Sequence, residues 1–510
     1  MAAPGAPQRP PPPGGIPLLV KVAFVTPELA PLVRRTNLAT VALDLATSLK
    51  RSGCDVRIFM PRTIQADPSA LTHLEVLGRL QVQDGNTKTE ILLRQGQLGD
   101  LKLVLFENPR LFGDRYPYGD ENGPYADNWR RYAIFARAVL EAPQLLNFPV
   151  DVFHCMDWTT GLIPLLHKLE YRDKQRENHP TTNAGTFFSI SNLAMQGEFE
   201  REILPKIGVP HEFFRNLEGV EHSSKVNFVK AGAEFGTVVG THSPTYAQTI
   251  QQRDRGYGLE DTFQRRTKEL VGIHNGVDYS AWDPAKDPLL PAAFSAQATD
   301  LSGKARCKQV LQEGLRLDVT PKSLVACHIG RWDADSGFDL LAEVLGSVLE
   351  RDIELIVMGQ GGEDISKRLR TIEGTFVGRL RVIGGYDAAA AHKIMGGADL
   401  LLLPSHYQPA NPLFAVALRY GVVPMIYNQG GLEQTLPDAI ENPAEGLALH
   451  FSPYTGDGLL EGVVRAVDHF RHPEWEGLVK RGLAQDFSWE KTASEYHKAY
   501  RRVTRRIRGR

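Results

Sequence analysis

The reactive side chains of this chain include four cysteines, which could bind a metal or form disulfides. They lie far apart, at Cys54, Cys155, Cys307 and Cys327. No spacing between them is typical of a metal site, and a disulfide framework is not expected in a chain of 510 residues. Free thiols fit a reducing compartment, so we expect a cytoplasmic protein.

The charge balance argues against nucleic acid as the main partner. The formal net charge is −2, whereas phosphate binding usually requires a basic excess. The one basic cluster is terminal, with six arginines between Arg501 and Arg510, and a solvated helix end is its simplest interpretation. No apolar run approaches the roughly 18 residues of a membrane span, so no membrane partner is expected.

Residues 1–17 are rich in proline and glycine, and 9–15 reads RPPPPGG. This composition predicts a disordered, partly polyproline-like tail, with a ligand for proline-binding modules as the alternative. The tail lacks the lysine-rich start and long apolar stretch of a signal peptide.

Beyond the tail, short apolar runs typical of buried strands alternate with helical patterns. Strands are predicted at 18–25, 56–60, 103–106, 150–153, 186–190, 237–240, 323–329, 354–358, 398–403 and 422–427. Helical patterns cover 40–52, with Gly53 at the cap, and 341–349. This alternation predicts two doubly wound, parallel α/β units with a ligand site between them, at the carboxyl ends of the strands.

Short motifs occur in a fixed order along the chain. They are VAFVTPELAP (22–31), DVFHCMDWTTGL (151–162), SISNLAMQGEF (189–199), VNFVKA (226–231), SPTYA (243–247), GYGLE (256–260), GIHNGVDYSAWDP (272–284), RYGVVP (419–424) and DFSW (486–489). The ordered set resembles the bacterial glycogen synthase and plant starch synthase family, glycosyltransferase family 5, over roughly residues 20 to 500.

The resemblance implies the GT-B fold, in which two doubly wound Rossmann-like domains face a cleft. We expect an acceptor-side domain at 20–260, a nucleotide-sugar-side domain at 265–484, and a last helix at 486–503 that crosses back to the first domain. The family transfers glucose from ADP-glucose to an α-1,4-glucan with retention of configuration, and it uses no metal or other cofactor. An α-glucan acceptor and ADP-glucose are therefore the expected partners, and no protein partner is identified.

The N-terminal site motifs depart from the family pattern. The loop K-T-G-G-L is here RRTNL, so Arg34 replaces the lysine, and Thr36 and Asn37 replace the glycines that let backbone approach a phosphate. The resemblance assigns these three positions to nucleotide-sugar binding, together with Asn192 in the retained N-L-A segment. A solvated basic loop that caps a helix is the alternative.

The H-D-W-H segment loses both histidines, which are Met156 and Thr159 here, while Asp157 and Trp158 remain. By the resemblance, Asp157 and Thr159 hold catalytic positions. Asp157 could instead cap the helix that begins beside it.

The C-terminal site motifs also depart. S-R-L-x-x-Q-K-G is here 330–337, in which Arg331 survives and Ser336 replaces the lysine of the diphosphate clamp. Asp333 and Asp335 add negative charge, and Arg331 could pair with one of them instead of a ligand.

E-P-C-G-L-T-Q is here 408–414, where Gln408 replaces a glutamate on which the family's chemistry relies. The glycine and hydroxyl positions that follow are Asn411 and Pro412, then a leucine, and proline has no N–H to donate. Gly430 and Gly431 are retained nucleotide-sugar-binding positions.

Two hypotheses follow, and whether the chain is an enzyme stays open at this point. The chain is either a glucosyltransferase of glycogen biosynthesis with weak activity, or a non-catalytic paralogue that binds glucan or regulates a synthase. Removing one preorganised donor to a developing anion costs about 2.7–4 kcal/mol in known enzymes, and several are altered here together.

Overall fold

The computed structural model describes residues 19–508, except 175, 177, 298–299, 321, 407–411 and 430. The predicted tail at 1–17 lies outside the described residues. The strands, in chain order, are β1 (Lys21–Val25), β2 (Asp55–Pro61), β3 (Thr72–Asp84), β4 (Thr87–Leu98), β5 (Leu101–Glu107), β6 (Gly119–Asp120), β7 (Gly123–Pro124), β8 (Val152–Met156), β9 (Gly185–Ile190), β10 (Glu198–Phe199), β11 (Glu221–His222), β12 (Lys225–Asn227), β13 (Val238–Thr241), β14 (Leu270–Gly272), β15 (Leu324–Trp332), β16 (Ile353–Gly361), β17 (Leu380–Gly384), β18 (Leu400–Leu403), β19 (Val423–Tyr427) and β20 (Leu449–Phe451).

The α-helices pack on both faces of the sheets that these strands form. In chain order they are α1 (Leu38–Arg51), α2 (Asn128–Leu145), α3 (Leu162–His167), α4 (Phe228–Phe235), α5 (Pro244–Thr249), α6 (Glu260–Arg265), α7 (Ser302–Leu315), α8 (Phe338–Leu349), α9 (Glu363–Thr375), α10 (Ala388–Gly397), α11 (Leu413–Arg419), α12 (Gly456–Phe470), α13 (Glu474–Leu483) and α14 (Trp489–Arg508). Within the described part of the chain, no helix is long and apolar enough to cross a membrane.

The second half of the chain forms a six-stranded sheet in the order β17-β16-β15-β18-β19-β20, and all neighbouring strands are parallel. Numbered within this sheet, the order is 3-2-1-4-5-6, that of doubly wound nucleotide-binding folds. The order reverses between β15 and β18, so the loops that follow these two strands open at the crevice where such sheets bind ligands.

The first half forms a nine-stranded sheet in the order β14-β13-β9-β8-β1-β2-β5-β4-β3. Strands β14 to β5 are parallel, and the order reverses between β1 and β8. The long antiparallel pair β3–β4 was not among the sequence predictions. Most of its residues are exposed or half-buried, so its sequence has no continuous apolar run by which a buried strand is recognised.

The last helix, α14, follows the second sheet in the chain but packs on the first, against α1 and strands β8, β9 and β13. His154 Nδ1 in β8 lies 2.6 Å from the hydroxyl oxygen of Tyr500 in α14. A Cβ on Gly185 would meet Val503 at 2.2 Å, so the absent side chain allows this close approach. The contacts fix both ends of α14 relative to the first sheet, whereas the domain boundaries themselves stay a prediction.

Candidate active site

A cavity of about 630 Å³ lies where the two sheets face each other. Its walls include the loops after β1, β8, β9, β13 and β14, together with parts of α1, α11 and the first residue of α14. Four residues predicted from the sequence meet there, namely Thr36, Asn37, Asp157 and Asn192. The carboxyl ends of parallel strands supply most of the wall, as expected for a ligand site in this class of fold.

The charge of this cavity is negative. Its described lining contains Asp44, Asp157 and Asp278 but no lysine or arginine. Burial, followed by the charge of Asp278, raises the pKa of Asp44 to about 6. Burial also raises the pKa of Asp157 to about 6. A diphosphate in this cavity would be repelled by the carboxylates, and none of its described lining residues carries a positive charge.

Glu28, which sequence reasoning did not single out, organises the loop before α1. Its Oε2 accepts hydrogen bonds from the backbone amides of Arg35 and Thr36, at 2.7 and 2.9 Å. Its Oε1 accepts from the hydroxyls of Thr36 and Tyr118, each at 2.6 Å. An internal carboxylate therefore occupies the amides that could otherwise meet a phosphate. Arg34 is exposed and makes no ion pair with any described residue.

Asp157 ties the ends of two neighbouring strands together. Its Oδ1 accepts the backbone amide of Ser191 at 2.6 Å, across from β8 to the end of β9. Its side chain does not cap the turn that follows, so the capping interpretation is wrong. The backbone has φ 56°, a left-handed conformation that a non-glycine residue rarely adopts, which is consistent with a constrained site.

Thr159 lies behind the wall rather than on it. It is 1% exposed, and its hydroxyl oxygen has no hydrogen-bond partner among the described residues. Asn192 is exposed at the cavity, where its side-chain oxygen accepts the amide of Ala194 at 3.0 Å and forms a local turn. Of the two, only Asn192 could contact a ligand without rearrangement.

The aromatic residues of the first half divide between core and cavity. Tyr132 is 1% exposed and donates its hydroxyl to the carbonyl of Pro117, so it belongs to the core. Trp158 packs edge-on against Tyr132, with ring centroids 5.1 Å apart, and also lines the cavity. Trp129 is half-buried, with Lys206 Nζ 5.5 Å from its ring centroid.

The loop after β15 is held together by its own side chains. Arg331 Nε lies 3.1 Å from Asp333 Oδ2, and its Nη2 lies 3.5 Å from Asp335 Oδ2. The hydroxyl of Ser336 lies 2.6 Å from the carbonyl of Arg331, and its amide donates to Asp333 Oδ1 at 3.0 Å. The arginine thus pairs with aspartate, as the alternative interpretation held, and Ser336 turns inward.

The remaining predicted positions precede α11 or follow β19 in the sequence. Gln408, Asn411 and Gly430 lie outside the described residues. Gly431 has φ 91°, and its amide donates to Glu433 Oε2 at 2.7 Å. As with Glu28, a carboxylate of the protein itself therefore accepts the hydrogen bond of a backbone amide that could otherwise bind a phosphate. Pro412, which has no N–H, lies at the start of α11 and lines the cavity.

Two histidines at the seam between the halves were also missed by sequence reasoning. Burial lowers the pKa of both His242 and His274 to about 4, with smaller contributions from His274 to the first and from Lys491 to the second. His274 Nε2 lies 3.3 Å from the hydroxyl of Thr435. Both rings are neutral near pH 7, so they add no positive charge to the cavity that His242 lines.

Known proteins resemble this chain over nearly its whole length. The family described as starch synthase catalytic domain matches residues 21–265. A glycogen synthase of Anaeromyxobacter dehalogenans (strain 2CP-1) is 36% identical, over 94% of this chain and 99% of its own. Glycogen synthase 2 of Geobacter sulfurreducens is 34% identical, over 96% of this chain and 100% of its own.

Solved structures agree with these relatives. The catalytic domain of starch synthase IV from Arabidopsis thaliana, bound to ADP and acarbose, superposes with a TM-score of 0.79 and 27% identity, over 95% of this chain and 99% of that chain. A sucrose-phosphate synthase from Thermosynechococcus elongatus, at 14% identity and a TM-score of 0.55, shares the fold. The α/β fold class predicted from the sequence, GT-B, is confirmed, and the chain belongs to the glycogen synthase and starch synthase family of glycosyltransferases.

Proposed function

We propose that this protein is a glycogen-synthase-like protein that binds α-glucan but transfers glucose from ADP-glucose many orders of magnitude more slowly than an active synthase. The observation that carries the proposal is the pairing of Arg331 with Asp333 and Asp335. By family resemblance, this arginine and a lysine stabilise the departing diphosphate. Here the charge of the arginine is partly neutralised within its own loop, and the lysine position is Ser336, whose hydroxyl donates to the carbonyl of Arg331.

The size of the expected loss follows from the chemistry of the transition state. A glucosyl cation separates from a diphosphate, so the protein must stabilise a growing negative charge. Each missing preorganised donor costs about 2.7–4 kcal/mol, and such losses are not additive. Two of them still lower the rate by roughly four orders of magnitude or more. The carboxylates of Asp44 and Asp157 line the cavity between the sheets and would repel an anionic donor that entered it.

The same cavity suits a neutral carbohydrate better. A glucan carries no charge for the aspartates to repel, and its hydroxyls can donate to carboxylate oxygens. Trp158 and Trp489 contribute apolar surface to the cavity wall although they are only 6% and 5% exposed. Trp282 is half-buried at the cavity, with one face of its ring stacked on His392, and adds a further apolar contact for a sugar. These features support retained glucan binding next to a weakened donor site.

Calorimetry and an elongation assay test the proposal together. We expect maltoheptaose to bind the purified protein measurably, ADP and ADP-glucose to bind no tighter than millimolar, and elongation of glycogen to be undetectable. The Anaeromyxobacter relative, assayed in parallel, controls for the reagents. A turnover of about one per second, or tight ADP binding without glucan binding, would contradict the proposal.

A further inference from the structure

The last turns of α14 carry a cationic face that the cavity between the sheets does not use. Its members are Lys498, Arg501, Arg502, Arg505 and Arg506, spaced so that all lie on one side of the helix. These five residues line a recess of about 310 Å³. Several positive charges thus converge on one small concave surface, which costs repulsion unless an anion is present.

Within the part of the chain that the structure describes, only the two ends of this face form ion pairs with acidic residues. Arg506 lies 2.7 Å from Glu269 and donates to the carbonyl of Thr237 at 3.2 Å. Lys498 lies 2.6 Å from Glu495.

The three central residues differ from the two ends. Arg501, Arg502 and Arg505 make no side-chain hydrogen bond or ion pair with any described residue. Burial and the neighbouring Arg506 lower the pKa of Arg502, as expected where like charges are crowded. Three guanidinium groups thus keep free donors at the recess.

The backbone beneath this face is rigid. Tyr500 is fully buried against His154, and Val503 is fully buried, so the arginines project from a fixed helix. The helix dipole favours cations only in the last turn. It accounts for the position of Arg505 but not for that of Arg501, one turn earlier.

We propose that this face binds the phosphate group of a small, soluble phosphate ester between Arg501, Arg502 and Arg505. A guanidinium presents paired N–H donors that match two oxygens of one phosphate, which a lysine cannot do. A recess suits a compact anion better than a flat membrane or a long polymer. Trp489, at the other end of the same helix, lines the cavity between the sheets. At 1.5 Å per residue the two sites lie about 24 Å apart, so the ligand is distinct from a sugar donor.

Inorganic phosphate is the probe, titrated into the full chain by calorimetry at constant ionic strength with chloride as the balancing anion. We expect saturable binding that chloride does not reproduce. R501A/R505A should weaken it at least tenfold, and R501Q/R505Q should do the same. Both side chains are exposed and without described partners, so the variants should keep the wild-type unfolding temperature. K367A/R370A on α9 removes two exposed cations elsewhere and should leave phosphate binding unchanged.

Equal phosphate binding by wild type and R501A/R505A would overturn the proposal, as would a response that does not saturate or that chloride reproduces. Two further binding measurements distinguish a small phosphate ester from a membrane lipid and from a nucleic acid. Binding only to vesicles that contain phosphatidylinositol 4-phosphate, or only to a short oligonucleotide, would also overturn it. None of these readouts depends on glucosyl transfer, so failure here is distinguishable from failure of the proposed function.

Discussion

The guanidinium of Arg331 lies 3.1 Å from the carboxylate of Asp333, two residues further along the same loop. Because the two residues are close in the chain, the sequence alone could suggest this pair. It leaves the positive charge partly neutralised before any ligand arrives. The pair therefore links the proposed weakening of the donor site to a few residues that can be changed one at a time.

Replacing Arg331 with alanine should hardly affect stability. Its side chain is 63% exposed, and exposed ion pairs contribute little, so we expect a change below about 0.5 kcal/mol in the free energy of unfolding. Urea denaturation measures this. Arg131→Ala is the control for sensitivity, because that side chain is fully buried with four acceptors and its loss should cost about 3 kcal/mol or more. A comparable loss for R331A would mean that the residue is structural.

Restoring charge to the loop after β15 should recover donor binding. We expect D335N/S336K to bind ADP about tenfold more tightly than the wild type, since one repulsive charge is removed and one cation is added. Calorimetry measures the change, and circular dichroism checks that the loop substitution leaves the fold intact. D364N/T371K makes the same change of +2 in net charge at two exposed positions of the outer helix α9 and should have no effect. If D364N/T371K and D335N/S336K gain equally, net charge rather than the site is responsible.

Asp44→Asn should stabilise the protein at neutral pH. Burial and Asp278 raise the pKa of Asp44 from 3.8 to about 6, so between about pH 4 and pH 6 the native state holds a proton that the unfolded state has released, and at pH 7 the native state bears an unfavourable charge. Stability contributed by this group is therefore greatest below about pH 4 and is lost as the pH rises to about 6. D44N should flatten this slope and add on the order of 1 kcal/mol at pH 7, after allowance for partial exposure. Unfolding free energies across pH 4 to 7 test this, and an unchanged slope would contradict it.

Tyr500→Phe should destabilise the contact between α14 and the first sheet. Removing the hydroxyl leaves His154 Nδ1 without its partner in a fully buried site, at a cost of roughly 1–3 kcal/mol. Thermal and urea unfolding measure the loss. Tyr386→Phe is the matched control, because that ring is 67% exposed and its change should stay within about 0.5 kcal/mol. Equal stability of the two variants would show that the buried hydrogen bond contributes nothing.

Local patterns in the sequence predicted several helices and strands of the fold. The strand predicted at 56–60 is observed as Asp55–Pro61, and the helix predicted at 40–52 is observed as Leu38–Arg51. Both signals come from local apolar periodicity, which neighbouring residues carry by themselves. The β3–β4 pair was not predicted because most of its residues are exposed or half-buried, so its sequence lacks the apolar run of a buried strand.

The ordered motifs by themselves determined the family, and the types of residue at Ser336 and Thr36 indicated a weakened donor site. Only the tertiary structure decided which distant carboxylates surround the cavity and its loops. Asp44 and Asp157 come from distant segments yet share one cavity wall, and Glu28 takes the amides of the loop that contains Thr36. The physical reason is that the electrostatic energy between two groups depends on the distance between them. For groups in separate segments, that distance is set by the packing of helices and strands rather than by their order in the chain.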